Sequence, residues 1–377
     1  MDTASTNTHP TQALISVAAF RHNLDVVREM SGHDKKIMAV VKANAYGHGM
    51  RELASEAVNW GVEYLGVARV DEGIELRRMG IKTPILVFEI AAEHQIASAL
   101  TEGLDLTVAK VDAAKKISEV ADTLGTHARI QVKVDTGMGR LGMSDRDAVS
   151  FIEKIARLPH IELTAVYSHF ATAEEPDQTY ARSQLDRFKK VLEGLERVKV
   201  EIPVKHMANS GAIAAIPESH FDLVRPGIML YGFMPRRGMP AESHLKPVMR
   251  LKSRISFLKT VDAGTTISYG RRYTAPERTK IATVPIGYAD GYARNLTNRS
   301  TVLIRGKRYP VVGTVCMDHL MVNVGINGEV DEGDEVTLIG SDGNETVSAW
   351  DIADLLGTIA YEITCAINTR VPRVIER

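Results

Sequence analysis

Cysteine is scarce in this chain, and neither sign of charge prevails. Of 377 residues only Cys316 and Cys365 carry thiols, too few for a disulfide framework and compatible with a reducing compartment. The 46 basic and 47 acidic side chains nearly cancel. No strong field therefore exists to recruit a nucleic acid or an anionic membrane, and a small-molecule substrate is the better expectation. No apolar run approaches the roughly 20 residues needed to cross a bilayer. The opening MDTASTNTHP lacks the basic start and the apolar stretch of a secretory signal. This predicts a mobile tail over residues 1–12 and a soluble, cytoplasmic protein. No GxGxxG follows the first predicted strand, which weighs against a dinucleotide site.

What the chain does have is a regular alternation. Between about residues 37 and 227, short β-branched runs alternate with longer segments of helical period, the signal of successive parallel βα units. The candidate strands are IMAVV (37–41), YLGVA (64–68), PILVF (84–88), LDLTV (104–108), IQVKV (130–134), LTAVYS (163–168), VKHMA (204–208) and FDLVR (221–225). Amphipathic segments such as MRELASEAVNW and QLDRFKKVLEGLERV fill the gaps, and several stop at a glycine, as at Gly80, Gly103 and Gly125, where a C-terminal cap belongs. Eight such units predict an α/β fold, a (β/α)8 barrel over residues 13–240. The segment 234–247, with three prolines, is the natural boundary. Beyond it, alternating strands from RISFLKTV to DEVTLIGSDG predict a mostly antiparallel β domain over 241–377. It contains one late helix, from about Ser348 to Leu356, with a serine N-cap and Gly357 just past its end.

Lys42 follows the apolar run MAVV and so stands at the carboxyl end of the first barrel strand, on the face where barrel active sites are built. Position alone leaves two readings open. One is a solvated lysine leaving a strand; the other is a desolvated amine that attacks an aldehyde cofactor.

The residues around it carry a resemblance. VVKANAYGHG (40–49), KVDTGMGRLG (133–142), YSHFATA (167–173), ANSGA (208–212), VRPGIMLYG (224–232), SYG (268–270), GYADGY (287–292), CMDHLMV (316–322) and YEITC (361–365) occur in this order. The set resembles the alanine racemase family of fold type III pyridoxal phosphate enzymes. The resemblance implies an isomerase that interconverts L-alanine and D-alanine for cell-wall synthesis, with pyridoxal 5'-phosphate held as a Schiff base on Lys42 and no metal.

The roles it implies fit the chemistry. Racemisation needs an electron sink and two bases on opposite faces of a planar intermediate; these are Lys42 and Tyr269. A tyrosine ordinarily titrates near pH 10, so its site has to favour the phenolate, and His169 and Arg225 are the candidates for the positive charge that would do so. Arg225 is implied to donate to the pyridine nitrogen, which then stays neutral because guanidinium keeps its proton. Tyr46, Ser210, Gly227, Ile228 and Tyr361 are implied phosphate donors. Arg140 matches the residue that takes the substrate carboxylate and Met317 the one that offers a backbone amide. Lys133 corresponds to a lysine often carbamylated in the family, whereas a plain ammonium there would repel Arg140. Tyr288 and Asp318 are implied to shape the substrate pocket. A homodimer with shared active sites follows from the resemblance alone.

Rival readings remain within reach of the lysine motif. Basic amino acid decarboxylases share the barrel and a VKAN-like lysine, yet they use a glycine triplet near the phosphate, and this chain contains no GG pair. A noncatalytic pyridoxal phosphate carrier would have no use for the long β domain that bears Tyr269. Broad-specificity and serine racemases share the scaffold, and a methyl or a hydroxyl discriminates only modestly in a pocket.

Overall fold

The structure, a computed structural model, describes residues 9–377; the greater part of the expected tail, residues 1–8, lies outside them. Among the described residues the chain forms two compact units, one of residues 20–45 and 50–246, the other of residues 9–19, 46–49 and 247–377.

In the first unit eight parallel strands close on themselves. Lys36–Val40, Tyr64–Val67, Ile85–Val87, Asp105–Val108, Ala128–Asp135, Ile161–Tyr167, Val204–Asn209 and Leu223–Arg225 pair in that order, and Leu223–Arg225 returns to Lys36–Val40. All eight lie within two or three residues of the runs expected from sequence. Burial on both faces explains their composition: every residue of YLGV, ILV and DLTV is buried, as a sheet covered by helices outside and filled by side chains inside requires. Met38, Tyr64, Leu86, Ala165, Tyr167, Val204 and Leu223 form one such filling, with Phe88 packed against it.

Helices return the chain from each strand to the next. Thr179–Arg197 buries Ala181, Leu185, Phe188, Val191, Leu192 and Leu195, an apolar stripe at three- and four-residue spacing turned away from solvent. Gly80, Gly103 and Gly125 all take left-handed backbone at +88°, +62° and +61°, the conformation that ends a helix cheaply only at glycine.

The second unit is built on a seven-stranded sheet, a three-stranded sheet and a two-stranded ribbon. Its strand Gln12–Ser16 pairs antiparallel with Met249–Arg254 and parallel with Arg373–Glu376, so residues 12–16 belong to this sheet and not to the barrel. Phe257–Val261, Thr279–Val284 and Leu320–Asn323 make the three-stranded sheet. The late helix Ala349–Leu356 is capped as its sequence predicts. Ser348 Oγ accepts from the Asp351 amide at 3.1 Å, Asp351 returns the bond at 2.8 Å, and Gly357 sits at φ +70°. No helix among the described residues is long and apolar enough to cross a membrane.

Candidate active site

The carboxyl ends of the barrel strands gather the cations. Lys133 lies two residues before the end of the fifth strand, Tyr167 ends the sixth, and His206 lies within the seventh; strand register sets them in one row, Lys133 opposite Tyr167 and Tyr167 opposite His206. Tyr167 is the common floor. The His206 ring stacks on it at 4.8 Å and 5°, Arg225 Cζ lies 5.5 Å from its centroid, and Lys133 Nζ lies 5.2 Å away on the same terms. Its hydroxyl shares a 2.7 Å bond with Thr107 Oγ1, and burial raises the phenol to about 12, so it is a neutral platform for its cationic neighbours.

Arg225, 3% exposed, is held by four contacts. Nη1 faces His206 Nδ1 at 2.7 Å, and Nη2 reaches Ser168 O at 2.7 Å, Met207 O at 3.0 Å and His169 Nδ1 at 3.1 Å. None of the four uses the Nε–H. Burial lowers the guanidinium to about 10, so it stays charged at neutral pH. Because guanidinium only donates, both histidines must present a bare Nδ1 and carry their proton on Nε2. Burial and then Arg225 push His169 well below the ordinary histidine range. His169 is therefore neutral, which corrects the expectation that it supplies positive charge: the charge is that of Arg225, passed on through a polarised imidazole.

Lys133 is 4% exposed. Burial, then Arg225, Arg140 and Lys42, push its amine down to about 7 against the pull of Asp135. A plain lysine beside Arg140 thus lowers the conflict by shedding its proton. Arg140 itself is exposed, in the loop after the fifth strand. Asp135 shapes that loop by accepting from the Gly137 amide at 2.9 Å and the Gly139 amide at 3.0 Å. Gly142, at φ +139°, lies so close that a Cβ would stand 2.7 Å from the Asp135 nitrogen.

Lys42, half-buried, opens a short left-handed turn. Ala43, Asn44, Ala45 and Tyr46 all take φ of 53° to 54°, which costs non-glycine residues about 1–2 kcal/mol each. Side chains hold the turn. Glu72 Oε1 accepts from the Ala43 amide at 2.7 Å while its other oxygen accepts from Ala68 at 2.8 Å and Arg69 at 3.2 Å, and Asn44 Oδ1 accepts from the Met50 amide at 2.8 Å. Ser210 follows the seventh strand. Its Oγ accepts from the Gly227 amide at 2.9 Å and, more weakly, from Met229 at 3.5 Å, which leaves the hydroxyl hydrogen to donate. Ile228, buried, begins the turn after the eighth strand.

The β unit carries the other expected residues. Tyr46 and Tyr361 pack with ring centroids 5.9 Å apart, and burial raises the Tyr46 phenol far above its ordinary value. Tyr269 is 73% exposed. It sits between Ser268 at φ +66° and Gly270 at φ +70°, with Ser268 Oγ donating to Thr314 O at 2.7 Å and Thr314 Oγ1 donating to the Tyr269 carbonyl at 2.6 Å. Met317, Asp318 and Tyr288 form one exposed corner. Tyr288 and Ala289 amides donate to the Cys316 and Met317 carbonyls at 3.0 Å each, and Arg370 ties Asp318 at 2.7 Å to Asp290 at 3.3 Å.

Two family models divide the chain between them: the alanine racemase N-terminal domain matches residues 15–235 and the C-terminal domain residues 248–375. The chain belongs to the alanine racemase family. It is 46% identical to the alanine racemase of Desulforamulus reducens over 97% of this chain and 98% of that protein. Its fold is similar to that of the alanine racemase of Clostridium difficile 630, with a TM-score of 0.93 and 40% identity over 98% and 96% of the two chains. It is likewise similar to the Bacillus anthracis alanine racemase with bound L-Ala-P, with a TM-score of 0.91 and 36% identity over 98% and 95%.

The barrel residues fit the cofactor of an alanine racemase on their own chemistry. Ser210 has a hydroxyl hydrogen to give to a phosphate, Arg225 has an Nε–H for a ring nitrogen, and the charges felt at His169 beside them are those of cations, Arg225, Lys133, Arg140 and Lys42. Sequence reasoning missed His206, Tyr167, Gln131 and Glu72. His206 had a signal: alternation in VKHMAN sets it on the face of Val204 and Ala208, and a histidine on a buried barrel face next to Arg225 calls for a partner. Glu72 had half of one: it stands at the third position of its helix, where an acid accepts from the N-cap amide, while nothing in the sequence marks its bond to the Ala43 amide.

Proposed function

We propose that this chain is a pyridoxal 5'-phosphate-dependent racemase that interconverts L-alanine and D-alanine by a two-base route, working in the cytoplasm as a homodimer. The observation that carries the reading is Arg225 between two neutral histidines, a donor-only cation held by four contacts with its Nε–H unused by them. When bound, the cofactor supplies the electron sink that stabilises charge left at Cα after a proton departs.

The chain's own residues do the rest. Lys42 anchors the cofactor and moves a proton on one face. Tyr269 of the partner subunit moves a proton on the other, with the Nε2–H of His169 to stabilise its phenolate. Tyr46, Ser210, Gly227, Ile228 and Tyr361 bind the phosphate through hydroxyls and amides. Arg140 takes the substrate carboxylate as a planar fork, the Met317 amide assists, and Tyr288 and Asp318 bound the space beyond Cα. Lys133, with its amine at about 7, is nucleophilic enough to add carbon dioxide: an N–C bond forms, one N–H proton leaves, and the new carboxylate orients Arg140. Cys316 and Cys365 both remain thiols, which suits a reducing compartment.

The test is to incubate the purified protein, loaded with pyridoxal 5'-phosphate, with a panel of L-amino acids and read D-products on a chiral column. Alanine is expected to turn over fastest, and Lys42→Ala to lose both the visible cofactor band and the borohydride-trapped lysine adduct. An adduct on another lysine would refute the anchor. Serine turning over as fast as alanine would refute the substrate.

A further inference from the structure

Asp105 lies at the start of the fourth barrel strand, at the opposite end of the barrel from the cationic rim, and is fully buried. A carboxylate at such a place is costly without partners. Its Oδ1 is served by Arg129 Nε at 2.8 Å, the ion pair that an ordinary structural role would require. Oδ2 turns instead into the barrel, where it accepts from Gln131 Nε2 at 2.9 Å and from Thr164 Oγ1 at 3.2 Å. Gln131, 1% exposed, faces His206 Nε2 with its Oε1 at 3.0 Å, and His206 faces Arg225 with its Nδ1 at 2.7 Å.

Every bond of this file has its direction forced from both ends. Read from below, a carboxylate accepts, so Gln131 turns its NH2 to Asp105 and its carbonyl to His206, which must answer with Nε2–H. Read from above, guanidinium donates, so His206 must answer with a bare Nδ1. The two requirements select the same tautomer. The other tautomer would set N–H against N–H at Arg225 and lone pair against lone pair at Gln131.

We infer that Gln131, oriented by Asp105, is a positioning residue that fixes the His206 tautomer and through it the aim of Arg225. Its consequence for turnover rests on the proposed function; the tautomer itself does not. Protonation does not supply an escape, because burial, Arg225 and Lys133 all push His206 well below the ordinary range. The groups that touch the ring are Gln131, Arg225 and the stacked phenol of Tyr167, and the nearby charge of Lys133 is also felt there; none of them is an anion.

The experiment is nitrogen-15 NMR of the histidine-labelled holoenzyme, with the His206 signals identified by their loss in His206→Asn. Wild-type protein is expected to show one tautomer, Nε2 protonated and Nδ1 bare, unchanged between about pH 6 and 8. Gln131→Met should give a mixture of tautomers and a shifted pH titration of the cofactor absorption band. It should also lower kcat about tenfold with KM for alanine unchanged, the loss expected for one buried hydrogen bond. Arg129→Gln, which removes the ion pairs to Asp105 and Glu162 but no bond of the file itself, is expected to lower thermal stability while leaving tautomer and kcat as they are. Should Gln131→Met not fold, Asp105→Asn carries the same test, with the same readouts moving in the same direction. A single unchanged tautomer and normal kcat in Gln131→Met would overturn the inference, as would Arg129→Gln disturbing the tautomer equally. Wild-type protein without racemisation would overturn the proposed function alone, and the tautomer in wild type and Gln131→Met would still decide this one.

Discussion

Arg225 Nη2 and His169 Nδ1 lie 3.1 Å apart in the barrel unit, and the contact makes His169 a neutral donor at Nε2. An arginine that touches two imidazoles and two carbonyls cannot be exchanged for lysine. The ammonium has three donors on a single nitrogen, so it cannot span Ser168 O, Met207 O and both rings at once. Arg225→Lys is expected to lower kcat about a hundredfold, corresponding to the loss of a charge-assisted hydrogen bond of roughly 2–3 kcal/mol. Steady-state kinetics with alanine check this, and a loss under threefold would contradict it.

Lys133 gives a pH dependence with a definite sign. Its amine is held at about 7 in the folded chain against an ordinary 10.5. Between those values the unfolded chain keeps a proton that the folded chain has shed, so this group makes stability rise with pH across the window, and below about 7 the full desolvation penalty is present. The penalty is of order 5 kcal/mol at most. In buffer free of carbon dioxide, Lys133→Met should be more stable than wild type at pH 6.5, with the gap closing towards pH 10. Urea unfolding at both pH values reads the gap; a constant one would mean that the lysine is not desolvated in this way.

Glu72 holds three amides, two of them just after the second strand and one in the left-handed turn after Lys42. Glu72→Gln retains one acceptor oxygen and turns an NH2 towards at least one amide donor. It should destabilise the protein by about 1–2 kcal/mol, the order of a hydrogen bond to a charged group at a half-buried place, and loosen Lys42. The expected sign is a faster loss of the visible cofactor band on dilution. A dilution rate equal to wild type would separate Glu72 from Lys42.

The late helix offers a simpler check. Ser348→Ala removes the hydroxyl that accepts from Asp351 at 3.1 Å, and replacing such a cap typically costs about 1 kcal/mol. Chemical denaturation should register that loss without a change in kcat.

The helix cap and the barrel are both legible in the sequence, because each rests on local rules. Ser348, Asp351 and Gly357 announce a helix by their spacing, and YLGV and ILV read as buried parallel strands from their apolar composition and their alternation with helical segments. Gln12–Ser16 was not legible as part of the β unit, since its partners Met249–Arg254 and Arg373–Glu376 stand far along the chain and QALIS carries no mark of them. The turn at Ala43 to Tyr46 was hidden for another reason: left-handed backbone signals itself through glycine, and KANAY has none. Lys42, Arg225, His169 and Ser210 stand out in the sequence through family motifs and strand ends. Their neutral or charged states became visible only with Arg225's four contacts, which turned His169 from a presumed cation into a neutral relay. Gln131 and Asp105 read simply as strand residues until hydrogen-bond direction linked them to the rim.

The most direct measurement is racemisation followed from pure L-alanine and, separately, from pure D-alanine in deuterium oxide, with the pyridoxal 5'-phosphate-loaded protein. Two bases on opposite faces predict that both reactions converge on equal amounts of the enantiomers and that the newly formed enantiomer carries solvent deuterium at Cα. Tyr269→Phe should keep the visible cofactor band and lose most of this turnover. Wild-type protein that leaves both enantiomers unchanged, or Tyr269→Phe that racemises at the wild-type rate, would contradict the account.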